Sequence, residues 1–179
     1  MANTREIVTK AVIGKGKKTF TTTNKVKPEE IPTTILGCWV INHNFTGVKT
    51  GDKISISGSY DVNIWYSYDN DTKTNVLRER NTYNEIVNVR PREESGESAQ
   101  DIIVRSLKQP SCTKVEIEAG DIVYTVEKEL GIELVGDVKV KIETNEEEDP
   151  WDEIVDEKEL EQKIEEEVKE NFIEDNNIV

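Results

Sequence analysis

The chain has 179 residues, with 23 Lys+Arg against 37 Asp+Glu and a formal net charge of −14. Residues 144–179 hold 3 Lys+Arg and 16 Asp+Glu, whereas residues 1–143 hold 20 and 21. We therefore divide the chain into a body, 1–143, and an acidic tail, 144–179. Phosphates would repel that tail, so we expect no nucleic-acid partner. The N-terminus lacks a signal-type apolar run and no segment approaches the roughly 20 apolar residues of a membrane span, which predicts cytosolic synthesis without transmembrane insertion.

The N-terminal region combines a strand pattern with a cluster of lysines. Glu6–Ile13 is rich in β-branched residues and predicts a first strand that ends in a turn at residues 14–16. No acidic residue occurs from Thr9 to Pro28, a segment that includes Lys15, Lys17 and Lys18. Two interpretations stay open for these lysines. They either protect a solvated strand edge from pairing with other chains, or they contact an acidic partner.

Two further strands are predicted between residues 35 and 68. Ile35–Phe45 alternates in a way that places Trp39, Ile41, His43 and Phe45 on one face. Ile54–Tyr68 places its apolar residues on one face and its polar residues on the other, except that Trp65 interrupts the polar face. Gly58 interrupts the apolar face, which predicts a bulge or bend.

The rest of the body continues the β pattern. Val76–Val89 predicts one or two strands, and Asp101–Lys108 is ambiguous between a short strand and a helical turn. Three more β-like runs follow, at Thr113–Glu118, Ile122–Leu130 and Val138–Ile142. Six or more strands with short connections predict an all-β body, either an antiparallel β-sandwich or an open barrel.

The tail changes from a strand period to a helical one. Asp149 followed by Pro150 suits a helix start, and apolar residues then recur mostly at four-residue intervals, at Trp151, Leu160, Ile164, Val168 and Phe172. We predict an acidic amphipathic helix near 150–173, or a tail that is partly disordered until this stripe docks on a partner. The five stripe residues are therefore candidate contacts. The alternative is a solubilising tail without a partner.

The chain offers little of what catalysis or metal binding requires. It has one histidine, His43, and two cysteines, Cys38 and Cys112. Two cysteines are too few for a disulfide framework, and the three residues lack the spacing of a zinc site. A single disulfide between Cys38 and Cys112 stays open. Asp69–Asp71 lacks the later ligands of a calcium loop and predicts a turn. No nucleophile elbow or dinucleotide fingerprint occurs. We expect no catalytic residues, no metal and no cofactor, and therefore no enzyme.

Four segments resemble a known protein family when they are taken together and in order. They are Arg5–Val12, Ile35–His43, Tyr60–Tyr68 and Gln109–Cys112, and they are similar to the outer spore coat morphogenetic protein family, CotE, of endospore-forming bacteria. The resemblance implies a non-enzymatic scaffold that is made in the mother-cell cytosol and becomes part of the outer coat layer. It also implies self-association into a homo-oligomer, an inner coat or basement-layer protein beneath it, and outer coat proteins as the proteins it recruits.

Two questions stay open from sequence. Trp65 is either an interface anchor on an exposed face or a residue covered by a second sheet of the same chain. The competing function is a soluble β-sandwich binding module for a small ligand or carbohydrate, in which Trp39, Trp65, Tyr66 and Tyr68 form a stacking platform.

Overall fold

The computed structural model describes residues 3–92, 99, 101–144, 161–166 and 168. It confirms the all-β class, and residues Glu6–Ile142 form one compact unit. The strands of the described chain are β1 (Asn3–Val26), β2 (Pro32–Thr50), β3 (Lys53–Tyr68), β4 (Lys73–Asn88), β5 (Asp101–Glu118) and β6 (Asp121–Thr144). They form two three-stranded sheets, which we name sheet 1 (β1-β6-β5) and sheet 2 (β2-β3-β4).

Neighbouring strands run antiparallel. Registers show this directly for β2–β3, β3–β4 and β5–β6. For β1–β6 the side-chain pairs show it, because Lys15 meets Glu133 while Lys25, ten residues later, meets Asp121. The β5–β6 hairpin closes through Ala119 and Gly120, both with positive φ. The predicted turn at Asp69–Asp71 is confirmed, and all three residues have φ between 52° and 64°.

The core lies between the central strands of the two sheets. One cluster of buried residues joins β3 to β6 and consists of Tyr60, Val62, Ile64, Tyr66, Ile122, Tyr124 and Val126. A second cluster joins the same strands to β1 and consists of Ile13, Ile54, Ile56, Leu130, Ile132 and Leu134. Since the two sheets are separate and face each other across this core, the body is a sandwich rather than a barrel.

A charged residue lies between the two apolar clusters. Lys128 falls on the core face of β6 and its side chain is only 2% exposed. Its Nζ is 3.1 Å from Glu85 Oε1 and 4.0 Å from the ring centroid of Tyr83. Gly58 of β3 is paired with Tyr83 of β4, and a Cβ on Gly58 would come within 2.4 Å of the Tyr83 ring. The Tyr83 ring thus occupies the space that Gly58 leaves in the apolar row.

The predicted bulge at Gly58 is wrong. Pairing of β3 with β4 is in continuous register through Gly58, which is opposite Tyr83, and with β2 it is opposite Phe45. The glycine admits a neighbouring side chain, which is another role that glycine has in strands.

Two predicted strand ends are wrong for a similar reason. β1 continues through residues 14–16 to Val26, and β6 runs unbroken through Gly131 and Gly136 to Thr144. A Cβ on Gly14 would come within 2.7 Å of the Arg90 carbonyl oxygen. This glycine therefore permits close approach of the segment after β4, and the Arg92 amide donates a hydrogen bond of 2.8 Å to the Ile13 carbonyl there.

The ambiguous segment Asp101–Lys108 is a strand, and it joins Thr113–Glu118 in the single strand β5. Three register shifts separate the two parts in their pairing with β6, around Pro110. Proline lacks the amide donor of a regular ladder and is tolerated on an edge strand at irregular positions. That is where Pro110 lies, since β5 is an edge of sheet 1.

Candidate interaction surfaces

Trp65 lies on the outer face of sheet 2 and is 44% exposed. It is opposite Gly37 on β2 and opposite Val76 on β4, so its side chain points away from the core that Ile64 and Tyr66 form. The alternative in which a second sheet of the same chain covers Trp65 is therefore wrong. Trp65 has the exposure expected of an interface anchor.

A second tryptophan lies diagonally across from Trp65. Trp39 is 53% exposed, and a Cβ on Gly37 would come within 2.4 Å of its ring. The Trp39 ring thus lies over Gly37, the direct cross-strand neighbour of Trp65. Ile41, two residues further along β2, is 46% exposed. We name Trp39, Ile41 and Trp65 the tryptophan face.

The sequence pattern placed Trp39 and Ile41 on the same side as His43 and Phe45, and this prediction is wrong. Pairing of β2 with β3 shifts register between Ile41 and Asn44, and Asn42 has φ of 57°. The extra residue reverses the parity, so Trp39 and Ile41 point outward while His43 and Phe45 turn inward. Asparagine tolerates this left-handed conformation better than most residues, and it was the available sequence signal.

Polar and charged side chains border the tryptophan face. Arg80 donates a hydrogen bond of 3.1 Å to the Ser59 hydroxyl and lies 3.9 Å from Asp61. Asp61 also accepts a hydrogen bond of 2.9 Å from the Asn42 amide. Arg80, Asp61 and Asn42, together with Ile41 and Arg78, line an open depression of about 500 Å³. An apolar centre with a polar rim is the usual composition of a protein interface.

The lysines singled out from the sequence lie on β1, at the edge of sheet 1. Lys15 Nζ is 3.3 Å from Glu133, and Lys17 Nζ is 3.9 Å from Glu129, both carboxylates belonging to β6. Lys18 lies over the Phe20 ring, 5.3 Å from its centroid. Two of the three lysines therefore already have acidic neighbours within the body. This arrangement suits protection of a strand edge better than an open site for an acidic partner.

The outer face of sheet 1 has a row of carboxylates along its central strand. Glu133 meets Lys15 on one side and Arg105 of β5 on the other, the latter at 3.4 Å. The hydrogen bond from Lys15 lowers the pKa of the Glu133 carboxyl, and Arg105 lowers it further. Lys108 and Glu127 form another pair on this face, six residues before Glu133 on β6. Charges of opposite sign thus compensate one another across this face.

Part of the predicted tail helix is present. Residues 161–166 and 168 are helical, and Ile164 and Val168 are 53% and 55% exposed. Their spacing of four residues places them on one side of the helix. Trp151, Leu160 and Phe172, the other members of the predicted stripe, lie outside the described residues. The domain boundary at residue 143 remains a prediction.

The single histidine belongs to an interior polar cluster. His43 Nε2 is 2.7 Å from the Tyr83 hydroxyl, and Nδ1 is 3.2 Å from Gln109 Oε1. Burial lowers the pKa of the imidazole, and the charge of Lys128 adds to this effect. Burial, with a contribution from Glu85, raises the pKa of Tyr83 to about 12. The neighbours hold both groups in their neutral forms at neutral pH, which suits a structural network.

The tyrosines of the alternative stacking platform are not available to a ligand. Tyr66 is 1% exposed, and its hydroxyl donates a hydrogen bond of 2.6 Å to Glu30. Tyr68 packs against Tyr66, with 6.3 Å between ring centroids. Only the two tryptophans of the proposed platform reach the surface substantially, so the platform as predicted is wrong.

Two features of the described chain bear on other functions. No group of three or more His, Cys, Asp or Glu side chains is placed to hold a metal ion among the residues that the structure describes. Within the same residues, no helix is both long and apolar enough to cross a membrane.

Comparison with known proteins identifies one family. A family model described as outer spore coat protein E (CotE) matches residues 3–175 of the chain. No curated protein and no solved structure matches it. The match extends over all six strands and most of the acidic tail.

Proposed function

Because the chain belongs to the outer spore coat protein E (CotE) family, we propose that it is a non-enzymatic morphogenetic scaffold of the outer coat. In this proposal it is made in the mother-cell cytosol and self-associates around the forespore. It lies on an inner coat or basement-layer protein and directs the assembly of outer coat proteins.

We assign self-association to the tryptophan face. Trp39 and Trp65 are large, half-exposed and neighbouring, and tryptophan is among the residues that most often dominate binding energy at interfaces. The outer face of sheet 1 is a weaker candidate because ion pairs within the chain already occupy it. The edges β2 and β5 are weaker as well, since register shifts interrupt both ladders and Pro110 interrupts β5. The exposed tryptophan pair is the observation that carries the proposal.

The charge distribution supports the same assignment. Residues 1–143 are nearly neutral overall, with 20 Lys+Arg and 21 Asp+Glu. A net charge near zero promotes association, whereas strong net charge opposes it. Bodies can therefore pack against each other with little repulsion, provided that their acidic tails point away from the contact.

The test is the absolute mass of the full chain, measured by light scattering across a concentration series. The variant carries Trp39→Ser and Trp65→Ser together. We expect assemblies larger than a dimer for the unmodified chain and a marked fall in assembly mass for the variant. The matched control is Leu107→Ser on the outer face of sheet 1, since Leu107 is 51% exposed and so close to Trp39 in exposure. Its assembly should be unchanged.

Thermal unfolding of each variant separates loss of assembly from loss of folding. A double variant that still folds and still assembles fully would show that the tryptophan face is not the interface. A strict monomer at every concentration for the unmodified chain would refute self-association itself. It would shift support to the binding-module alternative, with the two exposed tryptophans as its remaining site.

We assign recruitment of outer coat proteins to the tail. Ile164 and Val168 present an apolar stripe on a helix whose surroundings are strongly acidic, which suits partners with a basic rim around an apolar groove. Replacing both residues by serine in the full chain should reduce deposition of outer coat proteins on sporulating cells while the mass by light scattering stays unchanged. Unchanged recruitment of every outer coat protein would contradict this assignment.

A further inference from the structure

The two cysteines of the chain lie on strands that adjoin without hydrogen-bonding as a ladder. Cys38 is on β2, an edge of sheet 2, and Cys112 is on β5, an edge of sheet 1. Along this seam Gly47 faces the side chain of Val104, and His43 contacts Gln109. Residue numbers rise on β2 as they fall on β5, so Cys38, which precedes His43, lies toward the part of β5 that follows Gln109 and contains Cys112.

Side-chain contacts agree with that alignment. Both thiols pack against the same buried cluster, which contains Ile64, the cross-strand partner of Cys38, and Val126, the partner of Cys112. Cys112 also acts on the Cys38 thiol and raises its pKa, as expected of neighbouring side chains. Both cysteines are partly exposed and both are free thiols. Neither thiol is explained by catalysis, by a metal or by the interaction surfaces described above.

We propose that Cys38 and Cys112 form a disulfide within one chain when the protein meets a small-molecule disulfide oxidant, and that this bond joins sheet 1 to sheet 2. One thiolate attacks a sulfur of the oxidant and releases one small thiol, leaving a mixed disulfide on the protein. The second thiolate attacks the protein sulfur of that mixed disulfide, forms the Cys38–Cys112 bond and releases the second small thiol. Each protein thiol loses one proton, and two electrons pass to the oxidant.

The environment of Cys38 affects the rate of this step. Burial raises the pKa of the Cys38 thiol, and the neighbouring Cys112 raises it further. Because the thiolate is the reacting form, the bond should form slowly at neutral pH and faster as pH rises. The chain would therefore stay reduced through brief exposure and become bridged on lasting exposure. The inference rests on the fold and does not depend on the proposed function.

The test equilibrates the full chain with mixtures of reduced and oxidised glutathione and follows bridge formation by intact mass and peptide mapping. We expect an intrachain bond between residues 38 and 112. Its formation constant should be on the order of a thousandfold larger in the native chain than in guanidinium, as a chain-entropy estimate for a loop of about 75 residues gives. The melting temperature of the oxidised chain should rise by on the order of 10 °C.

Cys38→Ser and Cys112→Ser serve as controls, and each should abolish the intrachain species. The comparison of native with unfolded unmodified chain does not depend on whether these variants fold. Thiols that stay free in the native chain, bridges that link only separate copies, or a formation constant no larger in the native than in the unfolded chain would each overturn the proposal.

Discussion

The buried ion pair between Lys128 and Glu85 predicts an asymmetry between two substitutions. The Lys128 side chain is 2% exposed, whereas the Glu85 side chain is 23% exposed. Glu85→Gln removes the counter-charge and leaves the ammonium inside the core. Lys128→Met removes the ammonium and leaves a carboxylate that water can reach. The first substitution should therefore destabilise the fold much more than the second.

The magnitudes follow from the surroundings of the pair. Removing one partner of a buried pair typically costs about 3–5 kcal/mol. The lower end applies here because Glu85 is partly exposed and because the Tyr83 and Phe20 rings, 4.0 Å and 5.0 Å from the ammonium, still stabilise the cation. We expect about 3 kcal/mol for Glu85→Gln and a drop in melting temperature of about 6–12 °C. For Lys128→Met we expect a change within about 1 kcal/mol.

Urea unfolding of the two single variants and the double variant, at one fixed low protein concentration, checks the reasoning. The double variant should resemble Lys128→Met alone, because Glu85 has no buried cation to neutralise once Lys128 is gone. If Lys128→Met costs as much as Glu85→Gln or more, the side chain of Lys128 contributes mainly by packing, and the electrostatic argument is wrong.

Two further predictions concern the same part of the core. Gly58→Ala should cost about 1–3 kcal/mol by chemical denaturation, because the new Cβ would lie 2.4 Å from the Tyr83 ring. Gly131→Ala should cost less, because the three atoms nearest to its new Cβ all belong to the exposed, movable side chain of Leu107. Equal costs would contradict this. The fold lowers the pKa of His43, so the folded state favours the neutral imidazole. The resulting contribution to the free energy of unfolding is fully present above about pH 6.5 and is lost as pH falls through the folded pKa. His43→Gln should flatten the stability profile over that window, and an unchanged slope would show that other groups cause it.

The sequence predicted the central strand β3 well and its neighbour β2 poorly, for a physical reason. In β3 every residue of the core face is buried except Gly58 and the last residue, Tyr68, which are partly buried, so period two is visible along the strand. In β2 one extra residue at Asn42 reverses the parity, and only Asn42 itself, a residue tolerant of positive φ, signals it. The exposed position of Trp39 therefore could not be read from alternation, while that of Trp65 could.

Glycine was the second reason that predicted strand ends were wrong. Glycine occurs both in turns that end strands and inside strands, where it lets a neighbouring group approach closely. Gly120 has positive φ and lies in the hairpin turn between β5 and β6. Gly14 lies inside β1, where it makes room for the carbonyl of Arg90. The difference is set by contacts distant in sequence, which local pattern cannot supply. The proximity of Cys38 and Cys112 across the seam is a tertiary consequence of the same kind.

The two outer faces of the sandwich differ in a way that bears on how copies could associate. On sheet 1, Lys15 and Arg105 each form an ion pair with Glu133 within a single chain. Docking another copy there would remove water from these charges without giving them a new partner. On sheet 2, Trp39 and Trp65 would instead release apolar surface from water on contact.

Association through sheet 2 alone joins two bodies face to face, so a larger assembly requires a second contact. The acidic tails repel one another, and salt screens that repulsion without weakening the burial of tryptophan. Assembly size should therefore increase with ionic strength, and a decrease would indicate that ion pairs rather than the tryptophan face hold the copies together.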